Sequence, residues 1–136
     1  MSNPDNNAGP AVNMMRSQLG RARGLGSSKT GVQHWWAQRV TAIALLPLSL
    51  YFVLSVIRLE GHTREQMADF IGRPWNTVLY LCLIAALFYH LALGLQVVIE
   101  DYVHKESSRI ASLLAVKGAI FFCALACAVS VLKLAF

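Results

Sequence analysis

PWNTVLYLCLIAALFYHLALGLQVVI, residues Pro74 to Ile99, runs for 26 positions without a charge. As an α-helix it measures about 39 Å, longer than the ~30 Å hydrocarbon core, so it should tilt or extend past the lipid. Pro74 suits the first helical turn, where a missing N–H costs no bond. One ionisable side chain, His90, lies well inside the run.

Two more apolar runs flank this one. Val40 to Ile57 is 18 residues without a charge, bracketed by Arg39 and Arg58; it covers about 27 Å as a helix. Pro47 inside it is better tolerated in a membrane helix than in a soluble one, at the expense of a kink. Ile110 to Phe136 is the third run, with Lys117 and Lys133 toward its ends, where their stems can snorkel. The expected fold is an all-α membrane protein of three transmembrane helices, about 40–57, 74–99 and 110–136. A domain of residues 34–136 would carry them, forming a bundle with helices of a second subunit.

The composition agrees. Of 136 residues, 56% are hydrophobic and 14% charged, with a mean hydropathy of +0.50. A soluble domain carries about 25% charged residues, and a chain this short cannot hide so much apolar surface in one core. A soluble monomer is excluded, and so is disorder. Residues 1–33, rich in Asn, Gly, Ser and Arg, read as a basic, mostly irregular arm that is neither a secretory signal nor a transit peptide.

Charge sets the orientation. Arg16, Arg21, Arg23, Lys29, Arg39, Lys105 and Arg109 fall on one side of the predicted spans, seven in all, against Arg58, Arg64, Arg73 and Lys133 on the other. The amino terminus should face the cytoplasm or a mitochondrial matrix, and the carboxyl terminus should face away. The basic arm suits an anionic membrane surface or an acidic partner. Nucleic acid is not expected, because no aromatic-studded basic fold follows the arm.

His90 is 11 residues from Asp101, about 16 Å along the helix, and an ionisable group at that depth is a functional candidate by default. Ala86 and Gly94 lie one turn either side and leave a flat recess, for a haem edge or for a neighbouring helix. Two readings stand: a haem ligand, or a neutral histidine hydrogen-bonded across a helix interface. His34, His62 and His104 cannot share its depth, and all four methionines lie outside the predicted spans. A six-coordinate haem would therefore need its second ligand from another chain.

His34, Trp35, Trp36 and Arg39 stand where the first helix enters the membrane. They read as an interfacial belt with a positive-inside arginine, or, for Arg39 and His34, as partners of haem propionates. Tyr102 after Asp101 is a belt residue or a hydrogen-bond donor to a quinone carbonyl. The stretch Gly24 to Thr30 looks like a phosphate loop but lacks the glycine before its lysine and the preceding strand. Cys82, Cys123 and Cys127 form neither a disulfide framework nor a metal spacing; Cys123, Cys127, Ala119 and Ser130 form a small-residue stripe suited to helix packing. No dinucleotide fingerprint or cysteine cluster is present, so chemistry on a soluble substrate belongs to another polypeptide. A transporter is disfavoured by the lack of an internal repeat.

His34-Trp35-Trp36-Ala37-Gln38-Arg39-Val40-Thr41-Ala42, together with His90, Gly94, Gln96-Val97-Val98 and Asp101-Tyr102-Val103-His104, resembles the small hydrophobic anchor subunit of succinate dehydrogenase, respiratory complex II, of the cytochrome b type. The resemblance covers roughly residues 31–104 by motif and the third helix by topology. It implies that His90 is one axial ligand of a haem b shared with a large cytochrome b anchor, and the metal contact is His90 alone. It implies that Tyr102 contacts ubiquinone, and that Arg39 and His34 lie near the haem propionates. Expected partners are a flavoprotein, an iron–sulfur subunit and the large anchor. Together they would pass electrons from succinate to ubiquinone as an enzyme in which this chain alone is not catalytic. The expected location is the bacterial cytoplasmic membrane, ahead of the mitochondrial inner membrane. The alternative function is a non-redox membrane scaffold in which His90 only bonds between helices.

Overall fold

The structure, a computed structural model, describes residues 29–136, with side chains from residue 31. The arm expected to be irregular, with Arg16, Arg21 and Arg23, and the phosphate-loop-like stretch up to Ser28 lie outside the described residues. Residues 31–136 form one unit made of α1 (Lys29–Leu59), α2 (Arg64–Gly72), α3 (Pro74–Tyr102) and α4 (Glu106–Ala135). Three of these, α1, α3 and α4, are the long apolar membrane-spanning helices the three apolar runs predict. Each is roughly 45 Å long, well over the hydrocarbon thickness.

All three outrun their apolar segments. Helix α1 begins 11 residues before Val40, α3 continues through Glu100 and Asp101 to Tyr102, and α4 begins at Glu106, four residues before Ile110. Charges mark where lipid ends; they do not stop a helix. Residues 29–33, expected within the irregular arm, are helical. Only three residues, 103–105, connect α3 to α4, which forces those helices antiparallel. Pro74 occupies the first turn of α3 as predicted, and α1 stays helical across Pro47.

The short helix α2 was not anticipated. Thr63 caps it, its hydroxyl accepting from the Gln66 N–H while the Gln66 side chain accepts from the Thr63 N–H; this reciprocal pair starts a helix within the segment between the first two predicted spans. Gly61, at φ 78°, turns the chain out of α1 in the left-handed region that glycine adopts without strain. Helix α2 then returns against the end of α4: a Cβ on Gly72 would lie 3.1 Å from the Leu134 carbonyl oxygen.

Helix α3 sits between α1 and α4. Its contacts with α1 run from Asn76 and Tyr80 at one end to His90 and Gly94 toward the other. Little is buried: Tyr80, Leu93, Ser55 and Thr77 among the described residues. Leu46, Leu114, Phe121 and Phe122 are each more than two-thirds exposed. In water so much open apolar surface would drive aggregation; in a bilayer it faces acyl chains or neighbouring helices. The stripe of Ala119, Cys123, Cys127 and Ser130 is exposed rather than packed within this chain.

Candidate functional site

The amino-terminal end of α1, the carboxyl-terminal end of α3 and the start of α4 share one end of the bundle. Along α1, His34, Gln38 and Thr41 are spaced i, i+4 and i+7, which puts them on one stripe. That stripe meets His90. The Thr41 Oγ1 lies 2.9 Å from His90 Nδ1, and the Gln38 amide nitrogen lies 3.4 Å from His90 Nε2. Thr41 also donates back to its own helix, 2.7 Å from the Ala37 carbonyl and 3.1 Å from that of Gln38. A Cβ on Gly94 would lie 3.7 Å from the Gln38 amide. The recess beside His90 therefore takes a side chain of α1.

Two polar atoms here are buried and without a hydrogen-bond partner among the described residues: His34 Nε2 and Gln38 Oε1. Leaving such groups dry costs about 1–3 kcal/mol each. Arg39 stands about 100° round α1 from Gln38; it is exposed, its guanidinium 5.5 Å from the centre of the Trp35 ring. Trp35 and Trp36 meet edge to face, ring centroids 5.2 Å apart. The stripe thus brings His34 to the His90 side of α1 and leaves Arg39 on another. Tyr102 ends α3 at this same end and is 78% exposed, its carbonyl accepting from His104 Nδ1 at 3.1 Å. His62 lies at the opposite end, bonded to the Glu60 carbonyl.

An imidazole ligand to iron needs one nitrogen lone pair free and the other nitrogen held. His90 fits, since Nδ1 has a close partner and Nε2 has only a contact longer than an ordinary hydrogen bond. It offers a single ligand. Among the described residues no three His, Cys, Asp or Glu side chains gather as a metal site.

Neither Gln38 nor Thr41 was singled out from the sequence as a partner of His90, although both lie in the quoted motif. Lys117, expected near an end of its apolar run, lies eight residues past Arg109, the last charge before that run, about 12 Å along α4. It lines a small groove of about 380 Å³ with Tyr89, Gln96 and Phe121.

These features define a class: a multi-pass, all-α membrane subunit with one deep imidazole at a helix interface. The profile of the succinate dehydrogenase/fumarate reductase transmembrane subunit family matches residues 13–127. The chain is similar to the succinate dehydrogenase hydrophobic membrane anchor subunit of Rickettsia bellii (strain RML369-C), 34% identical over 102 residues that cover 75% of this chain and 82% of that one. It is similar to the subunit of the same description from Paracoccus denitrificans, 36% identical over 81 residues, 60% and 63% of the two chains. The succinate dehydrogenase membrane anchor subunit of Reclinomonas americana is 34% identical over 93 residues, 66% and 78% of the two chains. No solved structure matches the chain. The chain belongs to the succinate dehydrogenase/fumarate reductase transmembrane subunit family, as a hydrophobic membrane anchor.

Proposed function

We propose that this chain anchors a succinate:ubiquinone oxidoreductase in the bacterial cytoplasmic membrane, with its amino-terminal end on the cytoplasmic side. There it would hold a flavoprotein and an iron–sulfur subunit against the membrane and pair with a large cytochrome b anchor. His90, together with a ligand from the large anchor, would hold the iron of a haem b. Haem b, when bound, supplies a one-electron redox centre. The observation that carries this reading is the His90 ring itself, held at Nδ1 by Thr41 and lacking a close partner at Nε2.

The remaining roles follow from position at the same end of the bundle. Tyr102, exposed at the end of α3, offers its phenol O–H to a ubiquinone carbonyl approaching from the lipid. His34 has an unpartnered ring nitrogen able to bond a propionate, and Arg39 is a cation without an ion pair among the described residues. The seven-to-four excess of Lys and Arg on this side supports the cytoplasmic orientation.

A second reading keeps His90 as an interhelical bond only, and the contact of both ring nitrogens with α1 favours it. Optical spectra of the purified complex separate the two. Ligation predicts a low-spin b-type band that disappears in His90→Ala; an unchanged band in that variant leaves His90 as a helix contact.

A further inference from the structure

We propose that Thr41 is the positioning residue that fixes the His90 ring and decides which nitrogen keeps its lone pair; this rests on the haem reading above. A hydroxyl has one proton to give and two lone pairs. At 2.7 Å the Ala37 carbonyl is the nearest acceptor of the Thr41 proton, and a β-branched threonine in a helix is held in few rotamers, one of them bonded back to that carbonyl. The oxygen then faces His90 Nδ1 at 2.9 Å with a lone pair, so the ring must present Nδ1–H. Nε2 is left unprotonated.

Gln38 agrees with that assignment. Its amide nitrogen, a donor, is the atom nearest Nε2, at 3.4 Å a long contact, and that side chain would have to swing aside for the lone pair to meet iron. A proton on Nε2 would set two donors against each other while the Ala37 carbonyl lost its bond. Accepting the Nδ1 proton also makes the imidazole a stronger donor at Nε2, which favours ferric over ferrous iron. Thr41 acts through His90 and touches neither iron nor quinone.

The test compares Thr41→Val, which keeps the shape and removes the hydroxyl, with Thr41→Ser, which keeps the hydroxyl, both in the assembled complex. Thr41→Val is expected to weaken the ferric preference about tenfold, raising the haem midpoint potential by about 59 mV, and Thr41→Ser is expected to restore it. An unchanged potential in Thr41→Val, or a serine variant that behaves like valine, overturns the proposal. Nitrogen-15 resonances of the ring, identified by their loss in His90→Gln, give a readout independent of iron. The expected result is a hydrogen-bonded Nδ1 proton in the wild type and Thr41→Ser that moves upfield in Thr41→Val. A proton on Nε2, with the Gln38 amide turned over to accept it, overturns the proposal. A wild-type complex without haem contradicts the haem reading and leaves the ring proton to decide the role of Thr41.

Discussion

The two ends of the bundle handle their polar groups in opposite ways. At the end near α2, Tyr51 donates to Asn76 Oδ1 at 2.8 Å, and Asn76 donates to the Phe70 carbonyl at 2.6 Å. Thr77 donates to the Ile71 carbonyl at 2.7 Å, and Ser55, 3% exposed, donates to the Tyr51 carbonyl. The first turn of α3 thereby answers carbonyls that α2, ending at Gly72, cannot bond within itself. Aromatic edges of Tyr51 and Phe52 close on Tyr80. At the histidine end, by contrast, His34 Nε2 and Gln38 Oε1 are buried without a partner among the described residues, and Tyr102 is exposed. One end completes itself. The other leaves two buried polar atoms without a partner among the described residues.

The largest effect expected from breaking this contrast comes at the self-contained end. Asn76→Ala strands the Tyr51 hydroxyl and the Phe70 carbonyl, at a cost of about 2–4 kcal/mol for two lost bonds. Thermal unfolding of the purified complex should show this anchor destabilised while the b-type spectrum of the folded fraction keeps its shape. A spectrum altered as strongly as the stability would mean that the two ends are not independent. A smaller effect is expected from Tyr102→Phe, which removes one exposed hydroxyl and no internal bond. Ubiquinone reduction should fall about fivefold, the equivalent of a hydrogen bond worth ~1 kcal/mol, while succinate oxidation by an artificial dye and the melting temperature stay unchanged. Equal loss of both activities contradicts a quinone role.

The smallest effect belongs to Gly94→Ala. Its methyl would meet the Gln38 amide at 3.7 Å, an ordinary contact, and alanine improves a helix interior by about 1 kcal/mol. Haem content and stability should be near wild type, with Gly94→Leu needed to displace Gln38 and disturb the ring. Haem loss already at alanine would show that the space beside Gly94 holds the macrocycle rather than Gln38.

The spans were legible in the sequence because lipid imposes a simple condition: long apolar segments with few or no charges. Their ends were not, since Arg39, Asp101 and Arg109 mark the edge of the apolar layer and each sits in a helix that continues past it. The capping pair Thr63 and Gln66 carried a readable signal for α2, overshadowed by the surrounding charges. His90 was legible by depth alone. Its partners were not: Thr41 and Gln38 lie 49 and 52 residues away, and which stripe of α1 meets α3 depends on helix rotation and offset that neither segment encodes by itself.

The most direct measurement is a density map of the assembled complex at the His90 ring. The account predicts Nε2 bonded to the iron of a haem whose opposite ligand is an imidazole of the larger anchor, with Nδ1 still on Thr41. A ring that keeps Gln38 as its only Nε2 neighbour while the tetrapyrrole is held entirely by other subunits would contradict it.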